Sequence, residues 1–403
     1  MHGLVRQTYL TTLQEYQTSD LIKVLIGQRR CGKSTILKQY ITHLLQQNIS
    51  PENILFLNFE LHELSWVQVS HKLIDLITTY FNNKQPQGRV FIFLDEIQDI
   101  QDWEKTVNSF LANERYDIDF YLTGSNANLL STELSTHITG RYVEIPILPF
   151  SFLEFAAFHN AQPSRATLLQ YLETSGIPEL FNLHEREQKI AYLTSLKESI
   201  LMNDVIKRFN IKHPKLLMLL VDFLIDNMSK LFSINGIVKK INAIGIKCNA
   251  ITVANYVRYI ELTFLVHQAK RYDIKGKKIL EGQCKYYLND LGFSNFLQSS
   301  FDNNITRRLE NFVYTALIAA GYHVTVGTLY HLEIDFIAEK DQKTCYIQVA
   351  YLLQDNAVIA REYGNLEKIK DHWPKWVVSM DELQLPAKTG IKHIQAWALH
   401  QYL

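Results

Sequence analysis

Net charge is the first thing this chain lacks. Its 403 residues hold 41 lysines and arginines against 41 aspartates and glutamates, so no whole-molecule field argues for a nucleic-acid or membrane partner. Any basic face must be local. Cysteine is scarce too: Cys31, Cys248, Cys284 and Cys345 show no C-x-x-C spacing, which excludes a zinc or disulfide framework and suits a reducing cytosol. The most apolar run, Leu216 to Ile225, is broken by Asp222 and is shorter than the about 20 residues a bilayer crossing needs. The opening MHGLVRQTYLTTLQEY has no basic head, apolar stretch or small-residue cleavage site, so the expectation is a soluble, cytoplasmic chain without a membrane partner. There is no internal repeat or low-complexity segment, and 47% hydrophobic with 12% aromatic residues excludes a largely disordered chain. At about 150 residues per domain, two or three domains are expected.

What the chain does have is GQRRCGKS, Gly27 to Ser34, set between the apolar run Leu21 to Ile26 and the helix-like run Thr35 to Gln47. A buried strand, a glycine-bearing loop and a helix start give the pattern G-x-x-x-x-G-K-[ST] its physical meaning. Gly27 and Gly32 permit backbone angles that other residues resist. The amides of Gln28, Arg29, Arg30, Cys31, Gly32 and the following Lys33, Ser34 and Thr35 can then turn toward phosphates at a helix N-terminus. Lys33 would reach the β and γ phosphates of a nucleoside triphosphate, and the Ser34 hydroxyl would ligate magnesium.

Four apolar runs, LIKVLI from Leu21, NILFLNF from Asn53, RVFIFLDE from Arg89 and DFYLTGS from Asp119, have the spacing of a parallel α/β sheet covered on both faces. The third ends in Asp95 and Glu96. At the end of a buried strand near the phosphate loop, Asp95 is expected to serve magnesium from its outer coordination sphere and Glu96 to act as a general base for the attacking water. The fourth ends with Thr123, Ser125 and Asn126, which offer a hydrogen bond to the γ-phosphate or the water, or a helix N-cap; both roles are compatible. Arg141 precedes an alternating strand-like segment and can stabilise phosphoryl charge in cis or on a neighbour's nucleotide, or be an ordinary surface arginine.

Together LIKVLIGQRRCGKSTILKQY, FIFLDEIQD, LTGSNANLLS and ITGRYVEIPILPFSFLEF resemble the AAA-type ATPase domain of a widespread group of prokaryotic ATP-binding proteins. In that group the ATPase is joined to a C-terminal domain of unknown function. The resemblance implies ATP and Mg2+ as ligands, and YLETSGIPELFNL, around Gly176, Ile177 and Pro178, is similar to the group's small helical lid.

Farther on, PKLLMLLVDFLIDNM, SINGIVKKINAIG and ITVANYVRYIELTFLV show helical spacing, followed by a strand-like pair about Lys275, Gly276 and Lys277. Three helices and a hairpin are the order of a winged helix-turn-helix, and the segment resembles the winged-helix part of the same group. Lys270, Arg271, Lys275, Lys277, Lys278 and Lys285 outnumber Asp273 and Glu281 there, a local basic patch suited to DNA phosphates. Asn255 and Arg258 on the presumed recognition helix are candidates for base edges. The same module can instead dock protein.

From residue 301, a helix, three strands, a helix and a strand follow the core order of the restriction-endonuclease-like fold. That likeness implies a divalent-metal site at Glu310, Asp335 and a third motif where this chain has Gln348, Val349 and Ala350. A glutamine still offers a carbonyl oxygen, whereas Ala350 replaces the expected lysine; Lys340, Lys343 and Arg361 are the nearby cations.

The fold expected is therefore α/β: an AAA-type P-loop ATPase core at 1–155, a helical lid and connector at 156–212, a winged helix-turn-helix at 213–300 and a restriction-endonuclease-like domain at 301–403. The function expected is a Mg2+-dependent ATPase coupled, through the winged helix and the nuclease-like domain, to binding or remodelling of DNA, branched or duplex, or of a DNA-bound assembly. A nucleotide-gated protein-assembly switch and an ATP-regulated nuclease are the alternatives. A homo-oligomer follows if Arg141 acts in trans.

Overall fold

Continuous apolar runs become the parallel strands β1 (Ile22–Ile26), β2 (Ile54–Asn58), β3 (Val90–Asp95), β4 (Ile118–Gly124) and β5 (Tyr142–Pro146). A computed structural model describes residues 3–126, 140–298, 305–353 and 355–403 and divides them between two units, Met1–Leu148 with Leu262–Phe264 and Pro149–Glu261 with Leu265–Leu403. The first unit orders its strands β2-β3-β4-β1-β5. Every residue of the three inner strands is buried, while the edge strands are partly open, as expected of a sheet covered by helices.

Strand alternation separates two cores. Leu25, Phe91, Phe93 and Tyr121 pack with α1 (Gln7–Tyr16) and α2 (Lys33–Gln46), whereas Val24, Ile92, Leu94 and Phe120 pack with α3 (Ser70–Lys84) and α4 (Trp103–Leu111). Because all five strands run the same way, the segments that follow β1, β3 and β4 emerge at one edge. That edge carries the phosphate-loop motif, the carboxylate pair and the polar end of β4.

The second unit begins with α5 (Phe152–Phe158), whose Ser151 and Glu154 form a reciprocal capping box, and α6 (Arg165–Glu173). Then come α7 (Arg186–Ser199), which continues as a π-helix through Ile200–Lys207, and α8 (Pro214–Asp226), started by a proline. The short β6 (Phe232–Ser233) leads into α9 (Ile234–Ala243) and α10 (Ala250–Leu262), and a hairpin follows, β7 (Val266–Asp273) and β8 (Lys278–Leu288). After α11 (Gly292–Leu297) come α12 (Ile305–Ala319), β9 (His323–Leu329), β10 (Leu332–Lys340), β11 (Lys343–Ala350), α13 (Asn356–Glu367), β12 (Lys375–Ser379) and β13 (Ile391–Gln395).

These strands make one eight-stranded sheet, β13-β12-β11-β10-β9-β7-β8-β6. The join is the parallel pairing of Arg271, Tyr272 and Asp273 with Val326, Gly327 and Thr328. The hairpin and the strands that follow residue 305 thus share one sheet, and the two units divide at Leu148. One buried cluster runs from Phe152 to Leu399 through helices, hairpin and last strands. A bulge between Ile334 and Ile337 interrupts the pairing of β10 with β9 and re-aims Asp335. No described helix is long and apolar enough to cross a membrane.

Candidate nucleotide site

The turn out of β1 tolerates only glycine at its first position. A Cβ on Gly27 would stand 2.1 Å from the Ile147 carbonyl oxygen, which lies beside β1 because the Ile147 amide donates to Ile26. At the other end Gly32 takes φ 103°, a left-handed conformation that starts α2 with Lys33 as its first residue. Between them Gln28 and Cys31 are buried, Arg30 is exposed at φ 66° and Arg29 pairs with Glu60 at 3.3 Å. Ser34 is half-buried and Thr35 exposed.

The Lys33 ammonium donates to the carbonyls of Gly27 (3.1 Å) and Gln28 (3.3 Å) and lies 3.2 Å from Glu96 Oε1. Burial, the largest influence, opposes its charge, but Glu96, Cys31 and Asp95 together hold its pKa above the ordinary lysine value. Glu96 responds in kind: burial alone would raise its pKa, and Lys33 pulls it below the usual carboxylate range. Gln98 also donates to Glu96 Oε2 at 2.6 Å. Glu96 itself adopts φ 57° and ψ 50°, an unfavourable region for a non-glycine residue.

Thr123 ties the pair together. Its hydroxyl donates to Asp95 Oδ1 (2.6 Å) and accepts from the Glu96 amide (2.8 Å), while Ser34 Oγ donates to the same Asp95 oxygen at 3.0 Å. Asp95 Oδ2 is buried and has no hydrogen-bond partner among the described residues. Burial raises the pKa of Asp95 against the bonds from Thr123 and Ser34. A hydroxyl and an orphaned carboxylate oxygen at the mouth of a phosphate loop are a donor set that fits magnesium. Ser125 and Asn126 lie buried at the end of β4; the helix they were expected to cap, with the rest of LTGSNANLLS, falls outside the described residues.

Residues 19–156 match the family model of an AAA domain, and residues 165–304 match a domain of unknown function, DUF8612. An uncharacterized protein of Haemophilus influenzae is 37% identical over 98% of this chain and 98% of its own length. Residues 19–156 are thus an AAA-type ATPase domain, and the chain as a whole belongs to the family of the Haemophilus influenzae protein. This AAA-type chain is also similar to an uncharacterized protein of Methanocaldococcus jannaschii, 30% identical over 87% of this chain and 79% of that one. Among solved structures it is similar to a Walker-type ATPase of Pyrococcus abyssi, with a TM-score of 0.48 at 13% identity over 72% of this chain and 95% of that one. Membership of an AAA-type family implies nucleotide binding and, in general terms, ATP hydrolysis.

Arg141 is not brought to the AAA nucleotide site. It is exposed, and its carbonyl accepts from the Ile22 amide at the start of β1. The register of β5 on β1 pairs Tyr142 with Ile22 and Pro146 with Ile26, so Arg141 sits at the sheet edge opposite Gly27. The length of β1 puts about 17 Å between the two edges. Sequence spacing alone carried no sign of this, because it does not say at which end of a strand a flanking residue lies.

In the second unit Glu310 and Asp335 come together around Lys285, and Gln348 bonds the Asp335 amide beside them. Lys285, read as part of the basic hairpin, is buried and lies 2.8 Å from Glu310 Oε1, 2.7 Å from Glu333 Oε1 and 3.7 Å from Asp335 Oδ1. Tyr287 donates to the same Glu310 oxygen at 2.7 Å. Burial opposes the Lys285 charge, yet Glu310, Asp335 and Glu333 hold its pKa above the ordinary value. Burial first and Glu310 second push the Asp335 carboxyl above the usual carboxylate range, against the pull of Lys285. The signal for Lys285 was its place in CKYYL, inside an apolar run rather than at the turn.

The remaining basic candidates behave differently from one another. Asn255 and Arg258 are exposed on α10, as are Lys270 on β7 and Lys275, Lys277 and Lys278 at the turn. Arg271 is half-buried and donates to Thr328 (3.2 Å) and Gln283 (3.1 Å), so its guanidinium is committed to the sheet. The Lys275 ammonium lies over the Tyr330 ring at 4.8 Å.

Proposed function

We propose that this chain is a magnesium-dependent ATPase whose turnover is coupled to DNA through residues 213–300, read as a winged helix. The observation that carries the catalytic reading is the convergence of Lys33, Ser34, Asp95, Glu96 and Thr123 at one sheet edge, with Asp95 Oδ2 unpartnered among the described residues. Lys33 and the loop amides hold the phosphates. Ser34 and Asp95 would hold magnesium, which when bound supplies positive charge to the phosphate oxygens. Thr123 fixes Asp95 and the backbone of Glu96. Phosphates offer Lys33 a stronger partner than Glu96, and the buried glutamate, relieved of that cation, becomes a better base for the attacking water.

Support for DNA is the exposed set Asn255, Arg258, Lys270, Lys275, Lys277 and Lys278. Arg141, at the far sheet edge, acts in trans if it acts on phosphate at all, which requires a homo-oligomer. One observation favours a second reading, a nucleotide-gated switch for protein assembly. Ile251 is 76% exposed on the same face of α10 as Asn255 and Arg258, which suits an apolar partner better than phosphate. Steady-state ATP hydrolysis by wild type and Glu96→Gln, with no DNA or with single-stranded, duplex or four-way-junction DNA at two salt concentrations, separates them. Stimulation by one DNA form, weakened by salt and lost in Glu96→Gln, supports the DNA reading. Hydrolysis indifferent to every DNA form supports the switch.

A further inference from the structure

The residues of the second unit that resemble a divalent-metal site do not fit a metal. Three carboxylates are present, Glu310 on α12 and Glu333 and Asp335 on β10, but their centre is taken by the ammonium of Lys285 from β8. Contacts of 2.7 and 2.8 Å are hydrogen bonds from a cation already there, since a hard divalent ion would sit at about 2.0–2.6 Å from the same oxygens. Glu310 Oε1 is further closed by the Tyr287 hydroxyl.

The third motif is closed as well. Gln348 Oε1 accepts from the Asp335 amide at 2.7 Å and its Nε2 donates to Glu362 at 2.8 Å, so the carbonyl that was expected to serve a metal is spent inside the sheet. Asp335 Oδ2 accepts from the Val349 amide at 2.9 Å, and Arg361 holds the other oxygen of Glu362 at 2.6 Å. No group of three or more histidine, cysteine, aspartate or glutamate side chains is arranged to hold a metal among the described residues.

We propose that Lys285 is the resident cation of the Glu310, Glu333 and Asp335 cluster, standing where a divalent metal would otherwise bind, and that the second unit performs no metal-dependent phosphodiester cleavage. The ammonium supplies charge neutralisation and donates hydrogen bonds. It has no open coordination position from which to activate water. The cluster instead fastens β8 to α12 and β10, three segments of the chain that meet only in the fold. This assignment is independent of what the nucleotide site does.

Mn2+ titration of the full, nucleotide-free chain, with free Mn2+ followed by its paramagnetic resonance signal, tests the assignment. Wild type and Glu310→Gln should bind Mn2+ alike. Lys285→Met should gain one ion, bound at least about tenfold more tightly than any ion at that cluster in wild type, and Lys285→Met with Glu310→Gln should lose it. An ion bound by wild type and lost in Glu310→Gln would overturn the proposal, as would a folded Lys285→Met that gains none. Should Lys285→Met not fold, the comparison of wild type with Glu310→Gln decides alone.

Discussion

Each unit buries a lysine against carboxylates, and the two clusters are finished to different degrees. Around Lys33 the ammonium leans on loop carbonyls and Glu96, and Asp95 Oδ2 has no partner among the described residues. Around Lys285 the acids are met from within, by Tyr287, the Val349 amide and the lysine itself. A buried polar group left unmatched costs free energy, and Asp95 Oδ2 is such a group at the mouth of the phosphate loop. Acids whose buried oxygens are met by the chain's own donors mark structure. The same residue types thus read as a site in one unit and as an internal clasp in the other.

The largest effect that would break this contrast is on turnover. Glu96→Gln should lower the ATP hydrolysis rate by about 10²–10⁴-fold while ATP still binds, whereas Glu310→Gln should leave hydrolysis unchanged. Equal losses in both would merge the two clusters into one function. Next in size is stability. Lys285→Met leaves Glu310 and Asp335 buried without their cation and should cost about 3–5 kcal/mol in urea unfolding of the second unit. A cost near zero would mean that Lys285 is a mobile, exposed lysine after all. Smallest is Thr123→Val, which strips Asp95 of one donor and leaves the Glu96 amide unpaired. About 1–3 kcal/mol of destabilisation is expected, with turnover reduced more than ATP affinity.

The convergence of Lys33, Ser34, Asp95 and Glu96 was legible because its logic is local. Gly27, Gly32, Lys33 and Ser34 lie within one turn, and the apolar run before Asp95 announces a buried strand that must end at the same edge. Thr123 was within reach for the same reason, as the polar end of the next strand. Arg141 was not, since only the pairing of β5 with β1 tells which edge it occupies. Lys285 reads in the sequence as one of the hairpin's basic residues because its acids come from Glu310 on a helix and from Glu333 and Asp335 on another strand. Glu333 lay outside any motif and was missed. The joining of hairpin and last strands into one sheet, and the added β13, rest on long-range pairings that period and spacing do not encode.

The contrast between an open and a closed lysine cluster is tested most directly by counting Mn2+ ions bound per chain in the presence of ATP. The account predicts one tightly bound Mn2+, coupled to phosphorus in its resonance spectrum, lost in Asp95→Asn and kept in Glu310→Gln. A second ion, or a single ion lost in Glu310→Gln instead, would contradict it.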